Sequence, residues 1–347
     1  MEEFQLATYS PSGLILESVI HTDQLNNRKG YDPDFLSSNI PIPELTLSEQ
    51  KQDAAKVFTN VGPNGDYVLD YTHFSVVFNK SAKLPFYTAV NNVGKTSLIG
   101  RIHDARGSDV WYQDNRIEDA DGNYQYGNGD YRCSQFAKGH MVRYYDPAWG
   151  TDDEAKIAMG DTFHFTNCCP QIAYFNGVVW NYLEDYSIAL SMFQENRVSI
   201  FAGPIFNKAE TINGLLVPLN FWKIIVFEKD RKLSAQGFIM SQEPYLKNIQ
   251  QRGLLLEEVI KTVNPTLKPA DVERLFDKDE LMAAQTKISL IEEKTGLSFG
   301  LNDADEFKDK SQYALTLINK PKGIVQTYEE FRGDMDTVKW SHFLKNL

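Results

Sequence analysis

Between Arg197 and Met240 the chain carries three strand-like runs in succession: Arg197–Phe206, Leu216–Glu228 and Leu233–Met240. Val, Ile, Phe and Trp dominate them, and a chain that holds such runs must build a sheet to satisfy their backbones. Two earlier runs join the set. DYVLDYTHFSVVFN (Asp66–Asn79) alternates as a strand should, and LPFYTAVNN (Leu84–Asn92) pairs with it as a hairpin across Lys80–Lys83. Helical spacing appears at Val179, Leu183, Tyr186, Leu190 and Phe193, which predicts a helix from Asn176 to about Gln194. After Pro244 the character turns helical: Gly253–Val263, Ala270–Ala284, and Lys287–Thr295 closed by Gly296. The fold class that accommodates all of this is α+β, a central and mainly antiparallel β-sheet flanked by helices.

Residues 1–60 carry turn signals, such as Asn26-Asn27, Asp32-Pro33 and IPIPEL, and read as an irregular arm with a short helix at Ser48–Phe58. The division expected is an arm over 1–60, a domain over 61–300 and an extension over 301–347. Asp104–Tyr131 reads as a long polar surface loop, and Thr162–Thr166 as a short strand. No apolar run approaches the roughly 20 residues of a membrane span. The opening MEEFQLATYSPSGL lacks the order of a secretory signal, and Cys133, Cys168 and Cys169 have neither disulfide nor metal-ligand spacing. A cytoplasmic setting with reduced cysteines is the expectation; a secreted or periplasmic one holds if a signal peptide was removed.

With a net charge of −12, any polyanion must be met by a local cationic patch. Tyr131–Tyr145 is such an island: it contains Arg132, Lys138, His140 and Arg143 and no acid. Histidine is suited to take a proton from water in phosphodiester hydrolysis, and Gly139 before it would let a substrate approach closely. Asn176 offers a hard carbonyl oxygen and Glu184 a carboxylate, both suited to Mg²⁺. Eight residues apart on one helix, they are expected to share a face, with Cα atoms about 12 Å apart.

These residues resemble the DNA/RNA non-specific endonuclease family, the ββα-metal nucleases. The family pattern is Asp-Arg-Gly-His, a strand, Ser/Thr-Asn-x-x-Pro-Gln, then Leu/Phe-Asn and Trp-x-x-Leu-Glu. This chain has Ala137-Lys138-Gly139-His140, Thr166-Asn167-Cys168-Cys169-Pro170-Gln171, Phe175-Asn176 and Trp180-Asn181-Tyr182-Leu183-Glu184. Tyr131-Arg132-x-Ser134-x-Phe136, Ala202–Phe206 and Ile291–Leu297 also fit, so the likeness covers roughly residues 60–300. It implies a ββα-metal finger with a general base at His140 and one Mg²⁺ (or Mn²⁺) held by Asn176. Glu184 would sit near the hydrated ion, and scission would leave a 5′-phosphate and a 3′-hydroxyl. The chain departs from the pattern at Ala137, where relatives carry Asp; at Lys138, where they carry Arg; and at Ile188, where they often carry Arg.

Lys138 and Arg143 are thus expected beside His140 and Glu184 in catalysis, with Arg132, Arg116 and Arg106 as substrate contacts. The role of the acid missing at Ala137 is either vacant or filled by another acid, with Asp146 and Asp161 as the candidates. Trp111, Trp149, Tyr144 and Tyr145 are candidate stacking residues, and His73 and His164 read as core histidines within strands. The function expected is a Mg²⁺-dependent endonuclease for double- and single-stranded DNA and RNA with little sequence preference. A homodimer and an inhibitory protein partner fit that expectation. The alternative is a catalytically weakened nucleic-acid-binding or regulatory protein on the same scaffold, motivated by Ala137 and Ile188.

Overall fold

Alternation along the long runs decides the architecture, because successive side chains of a strand face opposite sides of its sheet. In the run Leu215–Lys229, Phe221, Ile225 and Phe227 join one buried cluster, while Trp222, Ile224 and Val226 join another. The sheet is therefore covered on both faces. The structure is a computed structural model that describes residues 25–94, 109–117, 124–132, 134, 136–173, 175–193, 197–246, 284–309 and 314–315.

Twelve strands are seen among these residues: β1 (Glu44–Leu45), β2 (Leu69–Asp70), β3 (Phe74–Asn79), β4 (Leu84–Val93), β5 (Ala137–His140), β6 (Cys168–Gln171), β7 (Arg197–Ile212), β8 (Leu215–Lys229), β9 (Lys232–Ser241), β10 (Ala284–Thr286), β11 (Leu297–Ser298) and β12 (Ala314–Leu315). The helices are α1 (Ser48–Asp53), α2 (Asn128–Tyr131), α3 (Asp152–Asp161), α4 (Asn181–Phe193) and α5 (Ile288–Thr295). The main sheet has eight strands in the order β12-β10-β9-β8-β7-β4-β3-β2, every neighbour antiparallel. The α+β class and the antiparallel sheet are as expected, and so is the hairpin across Lys80–Lys83.

One face of the sheet is covered by the segment around Tyr31, Phe35 and Ile40, together with Ile288 and Ile291 of α5. Helix α5 ends as anticipated at Gly296, which adopts φ +68 and donates its N–H to Glu292 O at 2.8 Å. The other face carries the hairpin β5–β6 and the helix that follows.

Several boundaries differ from the sequence reading. The helix at Ser48 stops at Asp53, and Asp66–Asn79 is broken by a turn in which His73 takes φ +67. Thr162–Thr166 is not a strand. Phe163, His164, Phe165 and Thr166 are all buried, so their apparent alternation does not separate a wet face from a dry one. The pairing strand begins instead at Cys168. Helix α3 was not anticipated from the sequence; Thr151 Oγ1 accepts from Glu154 N at 3.2 Å, the capping box that starts it. Gly253–Val263, most of Ala270–Ala284 and the chain after Leu315 lie outside the described residues.

Candidate active site

The hairpin β5–β6 pairs Ala137 with Gln171, Lys138 with Pro170, Gly139 with Cys169 and His140 with Cys168. Buried Asn167 locks the loops on either side of it. Its Oδ1 accepts from Val142 N at 2.8 Å, and its Nδ2 donates to Val142 O and Thr162 O, each at 3.0 Å. Gln242, just past the end of β9, ties down the far end: Oε1 accepts from Ile172 N at 2.8 Å, and Nε2 donates to Pro170 O and Pro218 O. A strand, a strand and a helix thus form one braced unit. Asn167 was visible in the sequence as part of the Thr166–Gln171 motif but not as a clamp, and Gln242 was missed, since a buried amide looks like any other Gln.

His140 is half-buried. Its ring lies 4.5 Å from the Trp111 ring and meets Phe163 edge-on at 4.9 Å, an aromatic wall that fixes its orientation. Lys138, two residues back on the same face, donates to Asn128 Oδ1 at 2.7 Å and lies over the Trp111 and Phe165 rings. Half-burial pushes its ammonium below the usual lysine range. Gly139 was expected to open onto substrate, and it does not. A Cβ there would meet the buried Gln171 side chain, so the glycine makes room for Gln171.

Asn176 sits in a π-helical turn, Phe175–Trp180, that runs into α4. It is half-buried, whereas Glu184 on α4 is buried. Glu184 Oε2 lies 3.9 Å from Arg143 Nε, and Oε1 lies 3.9 Å from Nζ of Lys223, a fully buried residue of β8. Lys223 was missed in the sequence, although a single charge inside the apolar run Leu219–Phe227 was the available signal. A hard, strongly hydrated ion needs only one or two protein oxygens, and Asn176 and Glu184 are of that kind. Among the described residues no three His, Cys, Asp or Glu side chains converge, so a closed thiolate–imidazole cage is not on offer.

The other candidates fall elsewhere. Arg132 is exposed at the end of α2, and Arg106 lies outside the described residues. Arg116 is buried: it donates to both oxygens of Asp114 and to Asp70 O, and stacks over Tyr71, which leaves no face for a phosphate. Asp161 is taken up by Arg28 and Thr72, so it does not stand in for the acid absent at Ala137. Asp146 is buried and accepts from Arg143 N at 3.2 Å. Trp111 is buried and Trp149 stacks on His73 at 3.5 Å, so neither is a stacking platform for bases. Tyr144 is buried and Tyr145 half-buried. His164 is a core histidine as expected, donating from Nδ1 to Asp161 O at 2.8 Å. Cys168 and Cys169 are buried free thiols; burial pushes Cys168 up to about 12, which makes it inert, and Cys133 lies outside the described residues.

Comparison with known proteins gives this geometry its context. The chain is 37% identical over 243 residues to an uncharacterised protein of Sinorhizobium fredii, covering 66% of this chain and 35% of that one. It is 29% identical over 206 residues to the mitochondrial Nuclease 1 of Schizosaccharomyces pombe, covering 54% and 60%. Against the mitochondrial endonuclease G of Bos taurus it is 29% identical over 131 residues, covering 34% and 42%. The chain thus spans between about a third and three fifths of the length of these relatives. The profile of the DNA/RNA non-specific endonucleases matches residues 51–306, from α1 through the main sheet and the β5–β6–α4 unit to α5 and beyond. The chain belongs to the DNA/RNA non-specific endonuclease family.

Proposed function

We propose that this chain is a metal-dependent endonuclease that hydrolyses DNA and RNA with little sequence preference. One observation carries the reading. In a chain of this family, a histidine on β5 and an Asn/Glu pair on the following helix belong to one braced ββα unit, with Arg143 between them in sequence and against Glu184 in space.

His140 is the general base. It takes a proton from a water whose oxygen attacks phosphorus, while the bond from phosphorus to the 3′-oxygen breaks. The 3′-oxygen leaves and is protonated from solvent, giving a 3′-hydroxyl and a 5′-phosphate. Asn176 would hold one Mg²⁺ (or Mn²⁺) through its amide oxygen, with Glu184 ordering the waters of that ion. When bound, the ion supplies charge stabilisation at the phosphoryl and leaving oxygens. Arg143 brings positive charge to the phosphate, and Lys138 and exposed Arg132 extend the cationic surface along the backbone. Contacts of this kind grip phosphate and read no base edges, which is why sequence choice is expected to be weak. We propose further that the chain acts in the cytoplasm, as a homodimer restrained by an inhibitory protein.

Plasmid DNA and a structured RNA incubated with the chain, with Mg²⁺ and with chelator, provide the test. Cleavage of both with Mg²⁺ and none in chelator is expected, and His140→Ala should lower kcat by roughly 10²- to 10⁴-fold. Undiminished cleavage in chelator sinks the metal-dependent mechanism. No cleavage at any metal concentration returns the chain to the weakened-scaffold reading.

A further inference from the structure

Lys223 stands in the middle of the buried run Leu219–Phe227, with Ala202 of β7 and Phe238 of β9 as cross-strand neighbours. Its side chain is 0% exposed. An ammonium in an apolar interior is costly unless an opposite charge faces it. Trp222 and Ile224 point to the face covered by α5, whereas Phe221 and Ile225 point to the face covered by α4. Strand alternation therefore aims Lys223 at α4.

There its Nζ makes no hydrogen bond, but lies 4.7 Å from the Trp180 ring centroid and 3.9 Å from Glu184 Oε1. The other carboxylate oxygen, Oε2, faces Arg143 Nε at 3.9 Å. Glu184 is thus held from two sides, one cation to each oxygen. The two cations differ in one respect. The Arg143 side chain keeps 11% exposure at the rim and can turn toward a phosphate, whereas Lys223 is sealed beneath α4.

We infer that Lys223 is a positioning residue of the nuclease site, one that keeps Glu184 oriented and charge-compensated when Arg143 engages substrate. This rests on the nuclease reading above. It divides the work: Arg143 meets the phosphate, and Lys223 fixes the carboxylate from the sheet side and touches no substrate.

The test uses the full chain and three variants, Lys223→Met, Glu184→Gln and the double. Methionine keeps the unbranched stem and removes the charge. Lys223→Met should lower kcat on plasmid roughly 10- to 100-fold while KM changes less than about twofold, as expected of a residue that orients a ligand. The double variant should be no slower than Glu184→Gln alone. Thermal unfolding gives a readout independent of turnover: Glu184→Gln strands a buried ammonium and lowers Tm, and adding Lys223→Met should recover part of that loss. A Lys223→Met kcat within about threefold of the parent, or a double variant slower than Glu184→Gln by a further factor of about ten, overturns the inference. If the parent chain cleaves nothing, the nuclease reading fails, and the Tm cycle decides on the pair by itself. Recovery upholds it and additive losses sink it.

Discussion

A Cβ placed on Gly139 would run into Oε1, Cδ and Cγ of Gln171. Gln171 is fully buried, so its side chain has no solvent to swing into. Gly139→Ala should therefore destabilise the chain by about 1–3 kcal/mol through overpacking. Shortening the neighbour as well, in Gly139→Ala with Gln171→Ala, should recover much of that in a urea titration. A single variant as stable as the parent contradicts the packing account. His140 next door shows the same dependence on surroundings, since its ring is oriented by Trp111 and Phe163, one of them 29 positions upstream in the numbering. The motif Gly139-His140 was legible as chemistry; what fills the space at Gly139 was not, because Gln171 arrives there only once β6 pairs with β5.

The element that matters most is the helix from Phe175 to Phe193, and its first turn is π rather than α. In a regular α-helix two residues eight apart end about 80° away from the same face, because each residue turns about 100°. One residue absorbed by a π-turn makes that interval behave like seven, about 20° short of two full turns. Asn176 and Glu184 are brought onto one face by this irregularity; the even spacing read from the sequence does not do it alone. Gly177 lies inside the turn, and a Cβ there meets nothing within 4 Å. Gly177→Ala is expected to keep activity and to be neutral or up to about 1 kcal/mol more stable in thermal unfolding. Deleting Gly177 removes the extra residue and the π-turn together, so the interval becomes seven α-helical residues and Asn176 stays within about 20° of the Glu184 face. Cleavage by the deletion variant should stay within about tenfold of the parent, and the far-UV spectrum should be retained. A fall to the level of Asn176→Ala in a deletion that still folds would falsify the alignment argument.

Across the whole molecule, the ββα unit is fastened to the sheet by a buried polar network. Asp114 takes hydrogen bonds from Arg116 and from Tyr71 at 2.5 Å, Tyr71 also meets Thr166 at 2.6 Å, and Arg116 reaches Asp70 O at 2.8 Å. Burial by itself would raise the Asp114 carboxyl, but the Arg116 guanidinium, with help from Tyr71, outweighs it and holds the group down at about 2. A carboxyl depressed in the fold contributes stability that is present above its unfolded value of about 3.9 and lost as pH falls toward 2. Burial also lowers His164, which takes up a proton more readily when unfolded, so stability already begins to fall below about pH 6.5. Denaturant midpoints measured from pH 7 down to 3 should decline, steeply below 4; a flat profile contradicts the network's role. Asp114→Asn leaves Arg116 buried without its counter-charge and should cost about 3–5 kcal/mol at pH 7.

Sequence by itself determined the strands, their alternation, the helix closed by Gly296, and the residue types of the site, since these depend on local spacing and on chemistry carried by single side chains. It also held two signals that were readable and passed over: the capping box at Thr151 and Glu154, and the lone charge of Lys223 in an apolar run. Tertiary structure alone decided which cations face the site. Arg116 is withdrawn into a pair with Asp114 beneath Tyr71, while Lys223, about 40 positions beyond Glu184 in the numbering, is brought against it by packing α4 on β8. The physical reason is that a charge is assigned by the partner that meets it once water is excluded, and that partner comes from a distant part of the chain.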